Sequence, residues 1–264
     1  MQGDTEGAVP EQAFIPDRVL IEDLQVRLAR ARKVAVLSGA GISAESGVPT
    51  FRGSGGLWQG RRAEELATPE AFNRDPKLVW EFYDYRRRAL SELSPNPAHI
   101  ALAGLAEKLI DRDAKEGGLT IITQNVDGLH RSAGSKALLE LHGNIWRVRC
   151  TGCGAVTENR DVPIEILPYC RLSPCKELLR PDIVWFGEML PEGIFEEACR
   201  VAAAADIMLI IGTSGVVQPA ASLAGYARAG GAYLIEINPE KTPLSESMDQ
   251  SITAKAAQLL PLII

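Results

Sequence analysis

Positive charge is not in excess in this chain of 264 residues. Lys and Arg number 28 against 34 Asp and Glu, a formal net charge of -6, so the broad basic surface of a general nucleic-acid binder is missing. Long apolar runs are missing too. The most apolar stretch, Val201 to Gly212, is broken by Asp206 and is far shorter than the roughly 20 residues a membrane helix requires. Met1 to Phe14 has neither the basic start nor the apolar centre of a secretory leader. A cytoplasmic protein with neither nucleic acid nor membrane as partner is expected. Five cysteines, an odd count in a chain long enough to bury a core of its own, argue against a disulfide scaffold. Histidine is scarcer, at three, which leaves few side chains suited to general-base work near neutral pH. No repeat or low-complexity segment is present.

What is there reads as α/β. Asp17 to Arg32 places Val19, Leu20, Leu24, Leu28 and Ala31 at helical spacing. Short β-branched runs follow at Lys33–Leu37, Leu119–Thr123, Ile207–Ile211 and Tyr233–Ile237, three of them ending in Ser-Gly, Gly-Thr-Ser or Asn-Pro turns. Runs this uniformly apolar suit strands buried on both faces of a parallel sheet, with 98–109, 196–204 and 219–229 as crossover helices. Two stretches break the alternation. Leu57 to Leu93 looks helical and is rich in charge and aromatics, and Val148 to Arg180 holds four of the five cysteines without a helical period. The expected organisation is a Rossmann-like parallel sheet domain built from 17–58, 98–147 and 181–264, with a smaller lobe made of a helical module (59–97) and a zinc ribbon (148–180), after an N-terminal extension (1–16). A cleft between the two is the default place for a ligand.

Gly39-Ala40-Gly41-Ile42-Ser43-Ala44 matches the glycine-rich turn that lets backbone approach a pyrophosphate. The acidic ribose ligand that usually follows about 20 residues on, at the end of a second strand, is missing; Glu64 and Glu65 lie at that distance but inside the charged insertion. An ordinary hydride-transferring dehydrogenase is therefore disfavoured. Cys150-x2-Cys153 and Cys170-x4-Cys175 offer two thiolate pairs in the pattern of a closed, structural four-cysteine zinc site. Cys199 is left over and reads as a small core residue. His142, just before the first cysteine pair, stands near the junction of the lobes and is the candidate general base. His130 reads as a packing residue at a helix start, and His99, after a Pro-Asn-Pro turn, as a solvated one.

In order along the chain, Gly39-Ala40-Gly41-Ile42-Ser43, Gly47-Val48-Pro49-Thr50-Phe51-Arg52, Thr123-Gln124-Asn125-Val126-Asp127, Leu141-His142-Gly143, the four cysteines, Gly212-Thr213-Ser214 and Ile237-Asn238-Pro239 make the sequence similar to the sirtuin family of NAD-dependent protein-lysine deacylases. The resemblance spans about Val34 to Ala256. It implies NAD as co-substrate, one structural zinc ion, and acyl-lysine proteins or peptides as partners; for the oligomeric state, a monomer is favoured. It also implies His142, Asn125 and Asp127 as catalytic residues. The dinucleotide would meet Gly39, Ala40, Gly41, Ser43, Ala44, Thr50, Phe51, Arg52, Trp58, Gln124, Val126, Gly212, Thr213, Ser214, Asn238, Pro239, Glu240 and Ala256. Val184, Trp185, Phe186, Gly187 and Glu188, with Val216 opposite, would sandwich a peptide as an added strand. Asp127 can equally be read as a helix cap.

Tyr83-Asp84-Tyr85-Arg86 resembles the bacterial-type class III branch, which accepts succinyl and malonyl groups. Tyr83 and Arg86, three apart on a helix expected over 77–90, share a face and could together take the carboxylate of an acyl chain, with small Ala67 leaving room for it. The competing reading turns Arg87 inward and leaves Arg86 exposed. Mono-ADP-ribosyl transfer and a non-catalytic ADP-ribose-binding module remain as alternatives to deacylation.

Overall fold

The structure, a computed structural model, describes residues 17–49, 57–112, 118–172 and 174–264. The extension 1–16 and the expected dinucleotide ligands Thr50, Phe51 and Arg52 lie outside the described residues. Among those described, no helix is long and apolar enough to cross a membrane.

Six parallel strands form the main sheet, in the spatial order Gln250–Thr253, Tyr233–Asn238, Ile207–Ile211, Lys33–Ser38, Gly118–Thr123, Leu138–Glu140. Taken in chain order this is 6-5-4-1-2-3, the doubly wound arrangement of a Rossmann sheet. The two central strands, Lys33–Ser38 and Ile207–Ile211, are buried along nearly their whole length, and successive side chains feed opposite faces. Val34, Val36 and Leu209 pack beneath the helices Arg18–Arg30, Pro97–Arg112 and Ala256–Ile263, while Ala35, Leu37, Met208 and Ile210 pack beneath Ile194–Ala203 and Leu223–Ala229. The first helix starts where the Asp17 carboxylate accepts the Val19 N–H at 2.9 Å, an N-cap.

A second body of buried side chains sits apart from the sheet. The helix Pro76–Ser91 contributes Val79, Trp80, Phe82 and Tyr83, and an antiparallel sheet in the order Val156–Glu158, Gly143–Cys150, Leu179–Ile183 contributes Trp146, Val148 and Ile183. The fold is thus a parallel Rossmann-like sheet with a smaller helical insertion and a four-cysteine module.

Several elements differ from expectation. The stretch from 57 opens with a two-residue hairpin, Leu57–Trp58 against Arg61–Arg62, before its helices. The ribbon sheet begins at Gly143. The helix expected over 219–229 divides into a 3-10 turn, Ala220–Ser222, and the helix Leu223–Ala229. The short edge strands Leu138–Glu140 and Gln250–Thr253 give too little periodicity to read, and Pro261 hides the final helix, Ala256–Ile263.

Leu209 is fully buried beneath the helices Arg18–Arg30, Pro97–Arg112 and Ala256–Ile263. Leu209→Ala is expected to lower unfolding free energy by about 2–5 kcal/mol, read from the urea midpoint at unchanged slope.

Candidate active site

Lys33–Ser38 and Ile207–Ile211 are neighbours whose outgoing connections turn to opposite sides, so a crevice opens at their carboxyl ends. The loops that leave them touch. The Gly39 N–H donates to Ile211 O at 3.0 Å and the Gly41 N–H to Gly212 O at 2.8 Å. A Cβ on Gly39 would lie 2.8 Å from Gly212 O, and one on Gly41 would lie 2.7 Å from Gly212 Cα. Gly212 itself has φ +59. Side chains are excluded at all three, and what they make room for is a bare backbone floor.

From that floor a cleft of about 1320 Å³ extends toward the small lobe. Of the residues foreseen from sequence, Gly39, Ala40, Gly41, Ala44, Gln124, Asn125, His142, Val184, Trp185, Phe186, Gly187, Glu188, Gly212, Thr213, Ser214, Val216, Asn238, Pro239, Glu240 and Ala256 line it. Ser43, Val126 and Asp127 stand behind this wall. Trp58 is packed in the small-lobe core against Phe82. The wall also includes Met189, Leu190, Glu192, Phe195, Glu196 and Lys255, none of them foreseen. Met189, 91% exposed, directly follows the Phe-Gly-Glu run, and a bare methionine beside that run was the available signal.

His142 follows the edge strand Leu138–Glu140, with Leu141 N–H donating to Thr123 O at 2.9 Å. Its Nδ1 lies 3.0 Å from Gln124 O, a carbonyl that can only accept. Nδ1 therefore carries the proton, and Nε2 keeps its lone pair. Burial lowers the ring's pKa, with the Gln124 carbonyl acting in opposition, so the imidazole is neutral at neutral pH. The next residue, Gly143, has φ +81 and no space for a Cβ, which would meet Asp182 O at 2.1 Å. The His142 carbonyl accepts the Val184 N–H at 2.9 Å. The ring is thus held by Gln124 and its backbone by Val184.

Behind the wall, Ser43 Oγ donates to Asp127 Oδ2 at 2.8 Å and accepts from Asn125 Nδ2 at 3.2 Å, while Asn125 Nδ2 also reaches Gly39 O at 3.1 Å. Asp127 Oδ1 accepts the Leu129 N–H at 2.8 Å, so one carboxylate serves both the network and the start of the helix Leu129–Ser132, although the N-cap position itself is Gly128. Burial raises its pKa, against the Leu129 and Ser43 hydrogen bonds and the charge of Arg86.

His99 does not fit the solvated role expected of it. It is fully buried, its ring centroid 4.8 Å from that of His130, with Nε2 3.4 Å from Ser43 Oγ. His130 Nε2 lies 2.9 Å from Ser38 Oγ. Burial pushes His99 down to about 4; burial and then His99 push His130 down to about 3.

Tyr83 and Arg86 do share a helix face, and Ala67 lies close by in the fold. Tyr83 is fully buried and its phenol accepts the Trp185 indole N–H at 2.8 Å. The half-buried Arg86 guanidinium sits 5.6 Å from the Tyr83 ring centroid. Burial lowers its pKa, opposed by Tyr83 and Asp127. Arg87 is the more buried of the pair, at 1% exposure, yet on another surface: it bonds Asn159 Oδ1 at 2.6 Å and the Asn159 carbonyl, and lies 5.2 Å from the Trp146 ring. Arg87 is thus the inward one of the two, as the competing reading had it, but Arg86 is half-buried instead of exposed and is the one beside Tyr83. The Ala67 carbonyl accepts the Phe186 N–H at 3.0 Å.

The four cysteines converge. Cys150 Sγ and Cys175 Sγ are 3.4 Å apart, Cys153 Sγ and Cys170 Sγ 3.9 Å, and all four sulfurs fall within 4.8 Å of one another without a disulfide. A tetrahedron of thiolates at the zinc–sulfur distance has an edge of about 3.8 Å, so the donor set fits that ion in kind and spacing. Cys199 stays outside, half-buried against the helical layer under the main sheet.

A profile of the Sir2 family matches residues 39–219. The chain is 50% identical over 223 residues to NAD-dependent protein deacylase 1 of Caldanaerobacter subterraneus subsp. tengcongensis, covering 84% of this chain and 88% of that one. It resembles the crystal structure of a Sir2 homologue in complex with NAD at a TM-score of 0.82, with 44% identity and 92% of each chain covered. It also resembles a Sir2–p53 peptide–NAD complex at a TM-score of 0.77, with 31% identity, 91% of this chain and 95% of the other covered.

The buried histidine pair carries a pH signature. Unfolded rings bind protons near pH 6.5, whereas His99 and His130 resist down to about 4 and about 3. The unfolded chain therefore binds more protons as pH falls, and stability present above about 6.5 is lost below it, at up to about 1.4 kcal/mol per pH unit per ring. Urea midpoints between pH 7.5 and 5 should decline, and His130→Gln should flatten that slope.

Proposed function

The chain belongs to the Sir2 family and is an NAD-dependent protein-lysine deacylase, and we propose that it prefers acyl groups ending in a carboxylate, succinyl and malonyl ahead of acetyl. The observation behind this preference is the arginine beside a buried phenol. Arg86 lies next to Tyr83, in surroundings that lower its pKa through burial. A guanidinium in such a place gains most from an anion, because charge-assisted hydrogen bonds are the strong ones. An acetyl group offers it nothing.

When bound, NAD supplies an electrophilic ribose carbon from which nicotinamide can leave as the acyl oxygen attacks. The bare floor of Gly39, Gly41 and Gly212 fits its phosphates, since only there can backbone come so close. Gln124, whose Nε2 donates to Thr213 Oγ1 at 3.0 Å, stands between this floor and His142. Asn125, fixed by Gly39 O and Ser43 Oγ, orders the nicotinamide end together with Asp127. His142 accepts the proton of a ribose hydroxyl at Nε2, the nitrogen left free by the bond from Nδ1 to Gln124 O. The peptide lies along Val184–Glu188 as an added strand, with Phe186 of that segment 60% exposed and Val216 opposite it 61% exposed. Backbone pairing of that kind favours loose peptide selectivity beside strict acyl selectivity.

Cys150, Cys153, Cys170 and Cys175 would hold one zinc ion, closed to water and without a chemical role.

Arg86→Met should reduce the ratio of kcat/KM for desuccinylation to that for deacetylation, on matched peptides, by tenfold or more, chiefly through KM; an unchanged ratio refutes the assignment. Removal of the metal with a chelator should release about one zinc per chain and abolish deacylation, with zinc restoring it, because the cysteine module loses its cross-link.

A further inference from the structure

We propose that Trp185 is a positioning residue for acyl selectivity: its indole N–H orients the Tyr83 hydroxyl so that the phenol can serve only as a donor toward an acidic acyl group. This rests on the carboxylate preference proposed above.

The bond concerned, Trp185 Nε1 to Tyr83 Oη at 2.8 Å, is buried at both ends and joins residues 102 apart in the chain. It ties the strand that receives the peptide to the helix that carries the acyl selector. A phenol oxygen can accept from two directions and donate in one. One accepting direction is taken by the indole, and the Arg86 guanidinium, itself only a donor, lies on the same phenol's side of the helix. Neither the indole N–H nor a guanidinium can accept the hydroxyl hydrogen, which is left to seek an acceptor. A terminal carboxylate is one, and an acetyl methyl is not.

The indole is itself held in place. Arg180 lies 3.5 Å from the Trp185 ring centroid, stacked on its face. That guanidinium is anchored by two bonds to Glu188, at 2.6 and 2.8 Å, and one to Ile183 O at 3.0 Å. Glu188 Oε2 also accepts the Trp185 N–H at 2.8 Å, closing a ring of contacts within residues 180–188. On its other side the indole meets Phe72 at 5.2 Å between centroids. Glu188 lines the cleft, but its carboxylate is committed to Arg180 and the Trp185 amide. Glu188 thus serves the indole's geometry.

The test is a double-mutant cycle on kcat and KM for matched succinyl- and acetyl-lysine peptides. Trp185→Phe keeps a ring under Arg180 and deletes the donor; Tyr83→Phe deletes the phenol. Each is expected to lower the succinyl-to-acetyl ratio about tenfold, through KM, and the double variant no further than Tyr83→Phe alone. Additive losses, or a Trp185→Phe ratio equal to wild type, overturn the inference while leaving the carboxylate preference standing. A wild type that prefers acetyl defeats that preference and this inference with it. If Trp185→Phe does not fold, as judged by its thermal transition, benzothienylalanine at position 185 removes only the N–H from an otherwise identical shape, and the same two outcomes decide.

Discussion

Everything in the cleft depends on one close approach, backbone against backbone, where the loop after the first strand meets the loop after the fourth. Gly39 and Gly41 lie so near Gly212 that no side chain fits on any of them. The contact fixes two independent segments against each other by main-chain hydrogen bonds, and those segments form the cleft's floor. Parallel pairing of the strands beneath sets the register, so the floor inherits its rigidity from a buried sheet and not from the loops themselves. Catalysis gains from such preorganisation because groups need not be moved into place during the reaction.

The polar machinery is arranged in two tiers. His142, Gln124 and Asn125 face the cleft, whereas Ser43, Asp127, His99 and His130 are packed behind it. The hidden tier is ordered by hydrogen bonds, since Ser43 contacts Asn125, Asp127 and His99 at once. Buried polar groups are costly unless bonded, which gives such a network few alternative arrangements.

The fold class and most of the cleft could be read from local strings, because a glycine turn after an apolar run or a pair of Cys-x-x-Cys-like spacings states its geometry within a few residues. What could not be read was decided by distant packing. His99 looked solvated beside its prolines, and it is buried by its approach to Ser43, 56 residues away, and to the ring of His130. Helical spacing put Tyr83, Arg86 and Arg87 near one another but could not tell that Arg87 answers to Asn159 while Arg86 answers to Tyr83. The Trp185–Tyr83 bond joins two segments with no common motif, so nothing local announced it.

The small lobe has a single apolar interior supplied by two stretches far apart in the chain, one helical and one cysteine-bearing, with Arg87 and Trp80 of the first bonded to Asn159 and Leu179 of the second. Each stretch covers apolar surface of the other. Such a lobe must diversify as a unit: a helix grafted from a relative without its matching ribbon would bring half of an interior, and the hybrid would expose what both parents conceal.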